Sequence, residues 1–147
     1  MTMNLYATQQ DIFAHADTEF AVYDTNFPEV AQEPLVNGYL EPYVVLRFND
    51  AVKVPQRGNV GGARHDEMYT LIDALCVAAD PAEARDLAYG PNGVADYLTG
   101  YQPVDAGPLT RESGGQVFVR ADGTNTLPRR FIAVVSFRCA VNQVIDE

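Results

Sequence analysis

Residues 41–101 read EPYVVLRFNDAVKVPQRGNVGGARHDEMYTLIDALCVAADPAEARDLAYGPNGVADYLTGY, and the order of signals in this stretch decides the fold class. Pro42-Tyr43-Val44-Val45-Leu46-Arg47-Phe48 is β-branched and aromatic, with Pro42 at the first position of a strand, where a missing N–H is tolerated. Residues 49–66 are dominated by glycine and polar side chains and read as a long loop or a protruding hairpin. Met68 to Ala79 is apolar on both faces except for Asp73, the pattern of a strand covered on both sides.

A helix then opens at Asp80. The carboxylate suits the cap, Pro81 suits the first helical position, and Glu83 completes a capping-box-like arrangement. Ala84, Leu87, Ala88, Val94, Ala95 and Leu98 keep an apolar stripe at helical spacing. Gly90-Pro91-Asn92-Gly93 interrupts it, because Pro91 cannot donate to the helical ladder. The stripe stays in phase across the break, which predicts one kinked helix, with two short helices as the alternative. Gly100 is the expected stop.

Outward from this centre, residues 4–17 predict an N-terminal helix with Leu5, Ile12, Phe13 and Ala16 near one face. Phe20 to Tyr23 reads as a short strand. Residues 24–41, with Pro28, Pro34 and Gly38, read as a long extended connection, uncommon in a compact domain unless it is functional or meets a partner. Residues 103–116 read as a second long polar loop. Gly115 to Arg120 alternates and runs into the turn signal Asp122-Gly123. Phe131 to Val141 is the last strand, with Phe131, Ala133, Val135, Phe137 and Cys139 on one face and Ser136 and Arg138 on a wetter one. Residues 142–147 read as a loose tail. The sum is α+β: a mainly antiparallel β-sheet with an N-terminal helix and a kinked central helix packed on it, and long polar loops, as one domain over residues 1–147.

At 147 residues a single core can bury roughly 68–70% of the unfolded surface. No apolar run approaches the ~20 residues that span a bilayer. Met1 to Tyr6 has neither a basic start nor an apolar signal region, so a protein made and used inside a cell is expected. Cys76 and Cys139 each fall inside an apolar run, where cysteine behaves as a small buried hydrophobe. Two separated cysteines and two histidines make no metal-ligand spacing. Ten basic against 20 acidic residues give a net charge of −10, which argues against tight binding to duplex DNA.

The search for chemistry gives little. His15 and His65 belong to no recognisable motif. Arg64-His65-Asp66 are adjacent, and adjacent residues on an extended chain point to opposite sides. Asp73 has Arg47 and Arg138 as candidate partners on neighbouring strands, and no second carboxylate is placed to share acid–base work. Gly61-Gly62 with Arg57 and Arg64 lacks the lysine and hydroxyl residue of a P-loop and leads into a strand. No catalytic residue, cofactor or metal site is therefore expected. The long polar loops point to assembly.

Pro42-Tyr43-Val44-Val45-Leu46, then Gly62-Ala63-Arg64-His65-Asp66-Glu67 entering an apolar strand, then Asp80-Pro81-Ala82-Glu83-Ala84-Arg85 opening a helix resemble the tail terminator proteins of long-tailed bacteriophages. Pro128-Arg129-Arg130-Phe131 before the final strand is similar too, and the resemblance spans residues 40–141. The Gly90–Gly93 break and the 24–41 connection depart from that pattern. The resemblance implies a virion subunit at the head-proximal end of the tail, assembled in the host cytoplasm. Copies would form a homo-oligomer, usually a hexameric ring, that caps the tail tube protein, ends tube polymerisation and meets the head–tail connector protein. Genomic DNA would pass through the channel without specific binding, and no membrane, enzyme activity or cofactor is involved. Arg57, Arg64, His65, Asp66, Arg129 and Arg130 are the expected subunit or partner contacts. A head–tail connector or stopper, or a minor tail subunit, would share these features. A small soluble ligand-binding domain or enzyme would require a pocket with converging polar groups.

Overall fold

In chain order the elements are α1 (Leu5–Asp17), β1 (Val22–Asp24), β2 (Leu35–Val36), β3 (Tyr39–Leu40), β4 (Tyr43–Phe48) and β5 (Val52–Lys53). They continue as β6 (Asp66–Ala78), α2 (Pro81–Tyr89), α3 (Val94–Leu98), β7 (Thr110–Gly114), β8 (Phe118–Val119) and β9 (Phe131–Gln143). The structure, a computed structural model, describes residues 5–28, 33, 35–36, 39–49, 52–53, 66–104, 106–114, 117–119 and 130–143. Among them no helix is long and apolar enough to cross a membrane.

The two long apolar runs pair with each other along their whole length. β6 and β9 are antiparallel from Asp66 opposite Gln143 to Ala78 opposite Phe131, 13 residues each. At ~3.4 Å per residue that ladder is roughly 40 Å long. β4 pairs antiparallel with the other edge of β6, and β1 adds to β4 in parallel. β7 and β8 pair with the far edge of β9, so the main sheet runs β1-β4-β6-β9-β7 with β5 and β8 beside it. This is the expected mainly antiparallel sheet.

Period-2 alternation sends the side chains to two different covers. Val44 and Leu46 of β4, Ile72, Ala74, Cys76 and Ala78 of β6, and Ala133, Val135, Phe137 and Cys139 of β9 face the helical layer and are buried. Ile12 and Ala16 of α1, Ala84 and Ala88 of α2, and Val94, Ala95 and Leu98 of α3 close that core from above. The alternation read in residues 131–139 is therefore the core face of the sheet. At ~25 cal/mol per Å² of apolar surface removed from water, this layer is the main source of stability.

The central helix is bent where the sequence places the break. Asp80 Oδ1 accepts the backbone N–H of Ala82 at 2.7 Å, and Pro81 occupies the first turn. After Tyr89 the chain turns through Gly90–Gly93, with Asn92 in the left-handed region at φ 61°. Gly93 is required by crowding, since a Cβ there would lie 2.7 Å from the Leu87 carbonyl oxygen. α3 then resumes the apolar stripe.

Tyr43, Val45, Leu75, Val77 and Ile132 point to the opposite face of the sheet and are buried with Leu40 of β3. The expected 24–41 connection supplies this cover. Among the described residues β2 and β3 pair with each other as a separate two-stranded sheet. Tyr23 and Phe27 add their rings at its near end. The described residues of the connection thus form a strap over the back of their own sheet; residues 29–32, 34, 37 and 38 of the expected connection lie outside the described residues.

Glu33 fastens the strap. Its Oε1 accepts from Arg130 Nε and Nη2, each at 2.7 Å, and its Oε2 accepts the Tyr43 hydroxyl at 2.6 Å. The two charged side chains are 1% and 0% exposed. Charged hydrogen bonds of this kind offset the cost of burying both ions only because every polar atom has a partner.

Two expectations differ from the structure. Thr110–Gly114 was predicted as loop; it is an edge strand, bulged between Arg111 and Ser113. An edge strand with Thr, Arg, Glu and Ser has no apolar alternation to announce it. Asn142 and Gln143 read as tail but continue β9, because Glu67 and Asp66 extend the partner strand opposite them.

Asp80→Ala should lower the unfolding free energy by about 1 kcal/mol through loss of the cap. Arg130→Ala should lower it by about 3–5 kcal/mol, because Glu33 is left charged and buried. Urea unfolding followed by circular dichroism measures both.

Candidate assembly surface

Below the strap the back of the sheet changes character. Arg47 on β4 lies opposite Asp73 on β6, and Asp73 lies opposite Ser136 on β9, so three neighbouring strands carry a polar row at one level. Ser136 Oγ donates to Asp73 Oδ1 at 2.7 Å. Arg47 Nε donates to the Thr25 carbonyl at 3.0 Å, and its guanidinium lies 5.2 Å from the Phe27 ring centre. One step further along, Arg138 stacks over Tyr69 at 4.1 Å. Arg47 is exposed, and Asp73, Ser136, Arg138 and Tyr69 are half-buried.

The inclusion of Asp73 in a strand covered on both sides therefore holds only for the upper part of β6. Among the described residues the apolar cover ends at Leu75, and Asp73, half-buried, belongs to a polar part of the face. Its observed hydrogen bond is to a serine, while Arg47 and Arg138, its expected partners, flank it on the same face. Paired strands hold these side chains in register, so the face can meet a complementary surface with little ordering cost.

The expected contact residues divide between the two ends of the β6–β9 ladder. Asp66 opens β6 at the end where β5 pairs with Met68 and Tyr69. Arg57, Arg64 and His65 belong to the segment that joins β5 to β6 and lie outside the described residues. At the other end, Arg129 also lies outside them. Arg130, expected at a subunit contact, is instead buried inside the subunit on Glu33. Two adjacent arginines in sequence gave no sign that one of them is spent internally.

The helical side carries a further cluster that the sequence did not announce. The His15 imidazole stacks on Tyr101 at 3.7 Å between ring centres and on Tyr97 at 4.6 Å. Phe20 meets Tyr97 edge-on, and the Tyr97 hydroxyl lies 2.9 Å from Thr18 Oγ1. Burial raises the Tyr101 pKa, helped by a hydrogen bond to the Asp11 carboxylate and by its charge. Asp11 Oδ2 also accepts the Val104 N–H at 2.8 Å, and Thr8 Oγ1 donates to the Val104 carbonyl at 2.7 Å. These contacts fasten α1 to the chain that follows α3. The histidine is thus a packing element of the helical layer.

A shallow depression of about 280 Å³ lies between α3 and β7, lined by Tyr89, Ala95, Asp96, Thr99 and Arg111. Three of its polar side chains have partners within the subunit. The Tyr89 hydroxyl donates to the Val134 carbonyl, Thr99 Oγ1 donates to the Ala95 carbonyl, and Arg111 stacks on the Tyr89 ring at 4.8 Å. Among the described residues no three His, Cys, Asp or Glu side chains come together to hold a metal ion.

Both cysteines are free and buried in the core under the helices. Burial pushes the Cys139 thiol up to about 11 and the Cys76 thiol higher still. The thiolate is the reactive form. Raising the pH from 7 to 9 should therefore leave both unreactive towards a disulfide reagent in the native protein, and two equivalents should react once the chain is unfolded. Absorbance of the released aromatic thiol reads the result.

No protein-family model matches the chain, and no curated protein matches it.

Proposed function

We propose that this chain is a structural subunit of a long-tailed bacteriophage virion, a tail terminator that closes into a ring, most simply of six copies, on the end of the tail tube. The observation that carries the reading is the polar row Arg47, Asp73 and Ser136 on a paired ladder whose two ends lie roughly 40 Å apart. A closed ring needs two different surfaces on each subunit that match each other head to tail. An elongated ladder with distinct ends and a polar row on one face can provide them.

The net charge of −10 suits a channel that DNA crosses without adhering. The segment between β5 and β6, residues 54–65, carries Arg57 and Arg64 and holds no acidic side chain. In an acidic subunit that segment is suited to an acidic surface on a neighbouring copy, the tube protein or the connector. No catalytic step or cofactor is part of this function.

Native mass spectrometry across protein concentration, with and without magnesium, should show a closed ring. Purified tail tubes mixed with the protein should be capped at one end in negative-stain micrographs. Arg64→Glu or Arg129→Glu should weaken capping about ten-fold or more. Tubes that stay uncapped at every concentration, or charge reversals that leave capping untouched, would overturn the assignment.

A further inference from the structure

We infer that Asn92-Gly93, in the turn between α2 and α3, is a latent site of spontaneous deamidation that the native fold holds shut. This goes beyond the assembly reading and does not depend on it.

An asparagine followed by glycine is the pair most open to this reaction, because glycine has no Cβ to shield its backbone nitrogen. The Gly93 nitrogen gives its proton to hydroxide and bonds to Cγ of Asn92. The bond from Cγ to the side-chain nitrogen breaks, and ammonia leaves with a proton taken from water. Water then opens the five-membered imide at one of its two carbonyls, giving aspartate or isoaspartate. Asn92 is exposed, so water and hydroxide reach its side chain.

The obstacle is Gly93. Gly90-Pro91-Asn92-Gly93 forms a β-turn with proline in second place and Asn92, at φ 61°, in third, which is the type II arrangement. The Gly93 N–H closes that turn by donating to the Gly90 carbonyl at 2.9 Å. The nucleophile of the reaction is therefore the donor that holds the turn together. Gly93 is tied on its other side as well, where its carbonyl accepts the Tyr97 N–H at 2.9 Å. Asp96 Oδ2 accepts the Asn92 N–H at 3.3 Å. Gly93 is buried, and the carbonyl oxygens of Leu87, Asp86 and Gly90 would lie 2.7, 2.9 and 2.9 Å from a Cβ added there. Bringing the nitrogen onto Cγ breaks the closing bond and turns a peptide plane inside this cage. The reaction thus waits for the turn to open.

Its product prevents the turn from closing again. Isoaspartate carries the main chain through the side-chain carbon, and the extra atom drives Gly93 against the same three carbonyls. A subunit that has opened here is chemically marked.

Peptide mapping by mass spectrometry, with electron-transfer fragmentation to tell isoaspartate from aspartate, follows residue 92 at mildly alkaline pH. Native Asn92 should react at least about thirty-fold more slowly than Asn92 of the chain unfolded in guanidinium. Asn37-Gly38, which lies outside the described residues, supplies the rate of a second such pair in the unfolded chain. Pro91→Gly, which widens the conformations open to the unfolded turn, should speed the native reaction at 92 about two- to five-fold and leave the unfolded rate unchanged. After return to native buffer, isoaspartate at 92 should concentrate in the fraction that fails to refold. Equal rates at 92 in the native and unfolded chain would show that the fold gives no protection. Native protection indifferent to Pro91→Gly would show that the turn does not supply it. Isoaspartate shared evenly between refolded and unfolded fractions would show that the turn accepts it. Each of these results overturns the inference.

Discussion

The continuous pairing of β6 with β9 is the constraint on which everything else rests. A strand has a side-chain period of two, so a slip of one residue would turn Ala133, Val135, Phe137 and Cys139 away from the helices. It would also part Asp73 from Ser136 and move Arg130, one residue before the ladder begins, out of reach of Glu33. Apolar patterning on β6 and β9, both buried on the helical side, fixes the register. Core, ion pair and polar row are three readings of one alignment.

The two faces of that ladder are finished unequally. Helices over one face give a deep apolar core around Ile72, Cys76, Val135 and Phe137. On the other face the described cover lies over Leu75 and Val77 of β6, where Leu40 packs and Glu33 forms a buried ion pair with Arg130. Breaking one side of such a pair is strongly destabilising, whereas replacing both sides by hydrocarbon is commonly neutral or better. The ion pair is thus better understood as fixing a position than as supplying net stability. The rest of the described back face carries Arg47, exposed, with Asp73, Ser136 and Arg138, half-buried.

Much of the framework was legible because its signals are local. The helix cap at Asp80, the bend at Gly90–Gly93, the first helix and the runs that became β4, β6 and β9 all rest on neighbours within a few residues. The strap was visible as a long proline-bearing connection, but its role was not, because the bond that explains it joins residues 97 positions apart. Arg130 misled for the same reason: beside Arg129 it looks like part of a basic surface spot. β7 was missed because a polar edge strand carries no apolar period. The stack of His15 on Tyr97 and Tyr101 depends on how α1 crosses α3, which no periodicity records. Asp73 was flagged correctly as the exception in an apolar run, and the sheet shows it marking where cover ends.

The position of β9 also governs how the chain comes into being. β9 follows every other described element in sequence, yet it pairs with the longest strand and supplies half of the sheet's central ladder. During synthesis the helices and β4 emerge before the strand that pairs with the second edge of β6, and Arg130 reaches the Glu33 carboxylate only after the 97 positions between them have been made. The central ladder consequently closes only after β9 has been made. Until then its apolar β6 edge is open to the wrong partner, so supply of the finished protein depends on guarding nascent chains from one another.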